Sequence, residues 1–122
     1  MQKTFISVVA VAVFAAGCGA SFPVPAQKLA DAESANRSAR ELGADKKTAA
    51  QLNLQMSDEE IKAAKDQIKA GENRRADFTL MRAKVDAELA LSLARETDAK
   101  IETVKAIDTS NASTNAKANE PK

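Results

Sequence analysis

The chain has 122 residues, 29% of them charged and 3% aromatic, and contains no His, Trp or Tyr. One small domain is the most such a length holds. Without His the commonest general base and metal ligand is missing. One Cys allows neither an internal disulfide nor a multi-Cys zinc site. No Gly-rich loop offers a phosphate cradle. Lys3 is the only charged side chain before Cys18, and the chain after residue 17 balances at 17 bases against 17 acids. A balanced chain carries no electrostatic footprint for nucleic acid and no polybasic stretch for an anionic membrane.

Residues 1–17 read as an export signal. Lys3 gives a short positive start. Phe5 to Ala16 gives an apolar run of about 12 residues, within the range of a signal-peptide core. That run is shorter than the roughly 20 residues a membrane span needs, and it leads into small residues, as a signal peptide does. A buried core helix is the competing reading. Ala15-Ala16-Gly17-Cys18 resembles the lipobox of bacterial lipoproteins, with Ala15 where Leu is usual. The resemblance implies a diacylglyceryl group on the Cys18 thiol, cleavage before Cys18 and acylation of the new amino group. Gly19 resembles the outer-membrane default of Gram-negative lipoproteins. Ordinary secretion with a free thiol is the alternative.

Residues 18–25 form a short tether, since Pro23 and Pro25 forbid a helix there. The helical domain then spans 26–107. A first helix is expected over about 26–42, with Pro25 at its entry and Gly43 as a left-handed cap. Its narrow apolar stripe is Leu29, Ala32, Ala35, Ala39 and Leu42. Glu33 and Arg37, four apart, should pair along it.

A second helix is expected over about 46–70. Ala50, Leu54, Ser57, Ile61, Ala64 and Ile68 alternate by four and three, which is a heptad-like seam. Thr48…Gln51 and Ser57…Glu60 both match a capping box. The seam passes unbroken through Ser57, which favours one helix ending at Gly71.

A third helix is expected over about 72–107. One stripe is Leu80, Ala83, Ala87, Ala90, Ala94, Thr97, Ile101 and Val104; a second is Phe78, Met81, Val85, Leu89 and Leu93. Read as adjacent, the two make a wide apolar face that meets two neighbours. At 1.5 Å per residue the three helices run roughly 25, 37 and 54 Å. The third outruns the second, so residues 97–107 should overhang and offer Ile101, Val104 and Ile107 to a partner or to a second copy. Residues 108–122 lack apolar period and are expected to be disordered. Sequons at Asn36 and Asn111 carry no weight in a bacterial lipoprotein. The fold expected is all-α: an antiparallel three-helix bundle or long helical hairpin, with a disordered C-terminal tail. Its core should be thin, alanine-rich and of modest stability.

The stretch from Ala49 to Glu96 resembles a domain of small alanine-rich bacterial lipoproteins of unknown function. The resemblance rests on Ala50-Gln-Leu-Asn-Leu-Gln-Met56, on Ala64…Ile68…Gly71-Glu-Asn73…Ala76-Asp77, and on the run from Arg82 to Glu96. It implies an exported, helical and often lipid-anchored protein. Some members are fused to a peptidoglycan-binding domain of the outer-membrane-protein-A type. It implies no activity and no catalytic residues.

Candidate chemistry is sparse. Asp86 and Glu88, two apart on a helix, point about 200° apart and cannot share a proton; Arg82 is placed to pair with Asp86. Asp58-Glu59-Glu60 lacks the spaced ligands of a metal site and reads as a solvated run, with Asp58 paired to Lys62. Lys122 resembles the terminal Lys that the major murein lipoprotein links to peptidoglycan, although Asn-Glu-Pro precedes it here. The tail, about 15 residues in all, reaches roughly 50 Å when extended. The function expected is a non-catalytic, lipid-anchored envelope scaffold or adaptor, facing the periplasm from the outer membrane if the cell is Gram-negative. It takes no cofactor. The alternative is a membrane-to-peptidoglycan tether or peptidoglycan binder.

Overall fold

A computed structural model describes residues 21–118; Cys18, the signal segment 1–17 and Lys122 lie outside the described residues. Three α-helices and one short 3₁₀ turn make up the body: α1 (Ala26–Glu41), the 3₁₀ turn (Ala44–Lys46), α2 (Thr48–Lys69) and α3 (Asn73–Ala118). The fold is all-α, and of the two expected forms it is the three-helix bundle. The α2–α3 contact is the most extensive and α1–α2 the least, so α3 is the spine on which both other helices lie.

The chain enters α1 through an inverse γ-turn. Pro25 sits at φ -80° and ψ 57°. The Ala26 N–H donates to the Val24 carbonyl at 2.9 Å. Gly71 closes α2 in a Schellman motif. At φ 77° its N–H donates to Ile68 at 3.0 Å, and the Glu72 N–H donates to Gln67 at 2.8 Å. Gly43 adopts φ 70° and donates to Arg40 at 2.8 Å, after which the chain makes the 3₁₀ turn instead of entering α2 directly.

The Thr48…Gln51 capping box does not form. Lys47, not Thr48, precedes the first turn of α2 and offers no side-chain cap; Gln51 Nε2 reaches back to the Asp45 carbonyl at 2.8 Å. Ser57…Glu60 caps nothing because one helix runs through it, as the seam predicts.

The expected seams meet one another. Ala50, Leu54, Ser57, Ile61 and Ala64 are buried on α2, and Ala76, Leu80, Ala83, Ala87, Ala90 and Ala94 on α3. Two apolar layers result. One, toward the Gly71 turn, gathers Ala32, Ile61, Ala64, Ala76, Leu80 and Ala83. The other, toward the 3₁₀ turn, gathers Ala39, Ala44, Ala50, Leu54, Ala90 and Ala94. Leu80 and Ser57 are the largest side chains buried outright, so close helix approach replaces bulk.

Two expectations need correction. The second stripe of α3 is not adjacent to the first. Val85 lies two residues from both Ala83 and Ala87, about 200° around the helix. It faces outward with Phe78, Met81 and Leu89, at 60, 57, 50 and 45% exposure respectively. α3 meets both neighbours mainly through its buried stripe, with Leu91 and Leu93, the last residue of the second stripe, packed at the edge of the layer toward the 3₁₀ turn.

The tail is also not disordered over residues 108–118, because α3 runs through Ala118. No Gly or Pro interrupts the chain between Gly71 and Pro121, and extending a formed helix costs little. The hydroxyls of Thr109 and Thr114 donate to carbonyls four residues back, at 2.8 and 3.0 Å, instead of competing with the helix.

Candidate functional site

α3 has 46 residues and α2 has 22. At the helical rise these lengths are about 69 Å and about 33 Å. The last buried residue of α3 is Ala94, and Thr97 is half-buried. From Asp98 to Ala116 every residue is exposed. A lysine marks the border: Lys47 Nζ lies 2.8 Å from Asp98 Oδ2 and also donates to the Leu42 carbonyl, tying the α1–α2 corner to α3.

Beyond that border Ile101, Val104 and Ile107 are 48, 57 and 54% exposed. Ile101 and Val104 continue the spacing of the buried stripe, so the seam outlasts the helices that cover it. The overhang expected over 97–107 is present and extends to Ala118. Ala99, Ala106 and Ile107 help to line a shallow groove along it.

The body carries two polar clusters that sequence spacing does not reveal. Between the two apolar layers, Asn36 of α1 is 7% exposed, and Ser57 of α2 is fully buried. Asn36 Nδ2 donates to Ser57 Oγ and to Asp58 Oδ1, each at 3.0 Å. Arg40 Nε donates to Asn36 Oδ1 at 3.2 Å, and Arg40 pairs with Asp58. The loop of contacts satisfies a buried amide that would otherwise be costly. Asp58 thus pairs across to α1 and not with Lys62.

The second cluster lies on the α2–α3 rim. Glu60 is tucked under Arg82, whose Nη2 is 2.5 Å from Glu60 Oε1, and neither carboxylate oxygen of Glu60 makes a well-aligned hydrogen bond. Burial pushes the Glu60 carboxyl above its ordinary range; Arg82 pulls it down, and the neighbouring Asp86 carboxylate pushes it up again. Arg82 therefore pairs with Glu60 and not with Asp86. Glu88 faces Lys84 at 3.8 Å, and Glu33 pairs with Lys65, not Arg37. For Asp58, Glu33 and Glu60 the carboxylate lies within reach of a base on another helix, a contact that spacing along one helix does not display.

Met56, Met81 and Val85 flank the Arg82–Asp86 edge of this second cluster in an open hollow. The arrangement has one perturbed carboxyl and one guanidinium, with no nucleophile beside them. Among the described residues no group of three or more His, Cys, Asp or Glu is placed to hold a metal ion. Among them also no helix is long and apolar enough to cross a membrane. Comparison with protein families, curated proteins and solved structures returned no match.

Proposed function

We propose that this is a non-catalytic, lipid-anchored protein of the cell envelope that works as a scaffold or adaptor. In this reading Cys18 carries the anchor, the three-helix body sets the geometry, and the free half of α3 receives a partner or a second copy. The small alanine-rich lipoproteins that the chain resembles have the same general character. The outer membrane, with the body facing the periplasm, is the location that Gly19 favours.

The observation that carries the reading is the overhang. A chain whose core is built of alanines leaves Ile101, Val104 and Ile107 about half exposed on a helix that no other described element covers. Bulky apolar side chains on an unsupported helix serve contact better than folding. A peptidoglycan tether through Lys122 is the second reading. It is favoured by α3 pointing away from the end at which the chain enters the bundle.

Mass spectrometry of both terminal peptides, from protein isolated with its native envelope, tests these readings. A triacylated Cys18 with a free Lys122 is the expected result. A muropeptide on Lys122 would make the protein a covalent tether. An unmodified Cys18 would remove the anchor.

A further inference from the structure

The first described residues are fixed to one end of the bundle. Asn73 Nδ2, at the start of α3, donates to the Phe22 carbonyl at 2.8 Å. Pro25 is buried, and Lys28 Nζ lies 2.7 Å from Asp77 Oδ2. Cys18 is four residues before Phe22. That span covers at most about 15 Å of extended chain. Whatever holds Cys18 therefore holds the Gly71 end of the bundle within that reach. The overhang leaves from the opposite end.

The surface at the Gly71 end has its own character. Phe22, Val24 and Phe78 are 42, 55 and 57% exposed. Phe22 and Phe78 share the rim of an open hollow with Arg74 and Arg75. Arg75 has only the exposed Glu72 at 3.3 Å, and Arg74 has no ion-pair partner among the described residues. Aromatic rings and arginines suit the headgroup zone of a bilayer, where an apolar stem is covered and a charged tip stays wet beside phosphate.

We infer that the Gly71 end of the bundle rests on the phospholipid surface that carries the anchor, with Phe22 and Phe78 in the headgroup zone and Arg74 toward lipid phosphates. The free half of α3 is thereby held pointing away from the membrane. This inference rests on the Cys18 anchor proposed above. Two rings and two arginines are too few to capture a free chain; on a tethered one they set orientation.

Hydroxyl-radical footprinting of the full mature protein tests this. The chain is anchored in vesicles of phosphatidylethanolamine and phosphatidylglycerol and compared with a Cys18→Ser chain in solution. Oxidation of Phe22 and Phe78 should fall several-fold on the vesicle, while Ile101 and Ile107 react as in solution. Equal oxidation of Phe22 and Phe78 in both samples overturns the inference. So does protection of Phe78 together with Val85 and Leu89 but without Phe22, which would place a second copy along the outer stripe of α3. If mass spectrometry finds Cys18 bare, the anchor reading fails on its own. The thiol is then coupled to a maleimide lipid and the footprint repeated; protection of the two rings supports the lipid-facing end, and uniform oxidation sinks it.

Discussion

The two halves of α3 share one helix and one spacing, yet they are built oppositely. From Ala76 to Ala94 the inward stripe is small, five alanines and Leu80, and fully buried. Beyond Asp98 it is larger, Ile101 and Val104, and half exposed. Apolar period alone therefore does not report burial. On the seam of α3, five of the six buried positions are alanines that let another helix come close, while Ile101 and Val104 lie where no described helix covers them. The first half holds the fold and the second is the half proposed to make contact, a division that substitution can break.

The largest effect should come from a charge in the alanine stripe. Ala87 and Ala90 are fully buried, and a carboxylate there has neither room nor partner. Ala87→Asp should cost more than about 4 kcal/mol, enough to abolish cooperative unfolding in a domain this size. A circular dichroism melt would read it. A variant that keeps its transition would mean that α1 and α2 do not cover α3 as closely as the buried stripe implies.

Next comes the polar layer. Asn36→Ala leaves Ser57 buried without its partner and frees Arg40 and Asp58 from their shared contact. A loss of about 1–3 kcal/mol is expected in urea unfolding. The companion variant Ser57→Ala removes the other side of the same bond. The pair together should cost less than the sum of the two, since each alone already breaks the contact. Strict additivity would show that the Asn36–Ser57 bond contributes nothing of its own.

A smaller effect follows from Glu60. Its carboxyl is raised by burial, so the folded chain holds this proton more tightly than the unfolded chain does. Stability from this group is therefore complete at acid pH and declines as pH climbs past the ordinary glutamate value of about 4.5 and through the raised one. Glu60→Gln should flatten that decline and leave Arg82, which is mostly exposed, at little cost. Urea midpoints at acid and neutral pH measure it. A variant with the same pH slope as the parent would show that Arg82 offsets the burial.

How much of this is legible in the sequence depends on the range of the interaction. The seams of α2 and α3, the Gly43 and Gly71 turns and the overhang follow from local spacing and backbone conformation, which the chain displays directly; of the stripe expected on α1 only Ala32 and Ala39 are buried and Leu42 is exposed. Asn36, four residues after Ala32 and three before Ala39, holds a seam position, but a polar side chain followed by Arg37 looks solvent-facing; its partners on α2 make it core. Arg82 and Asp58 draw same-helix partners in the sequence for the same reason. The turned-out stripe of Phe78, Met81, Val85 and Leu89 is present in the sequence as a rotation of about 200°, which puts it on the far side of the helix from the alanines. The helix over 108–118 is hidden because lack of apolar period removes a reason to pack, not the ability of a helix to continue.

The smallest effect on folding, and the sharpest test of the division, is expected at Ile107. Ile107→Asp touches no described residue of the bundle, so only intrinsic helix preference is at stake, at most about 0.7 kcal/mol and confined to the overhang. The melting of the body should not move. An uncovered helix of this length is marginal in water, so amides from Ala99 onward should exchange quickly in the isolated protein while those from Ala76 to Ala94 exchange slowly. If the overhang is a contact surface, its exchange slows in the native envelope, and Ile107→Asp reverses that slowing without altering exchange in the body. Were Ile107→Asp to unfold the isolated protein as Ala87→Asp should, the overhang would belong to the core and the contact role would fall.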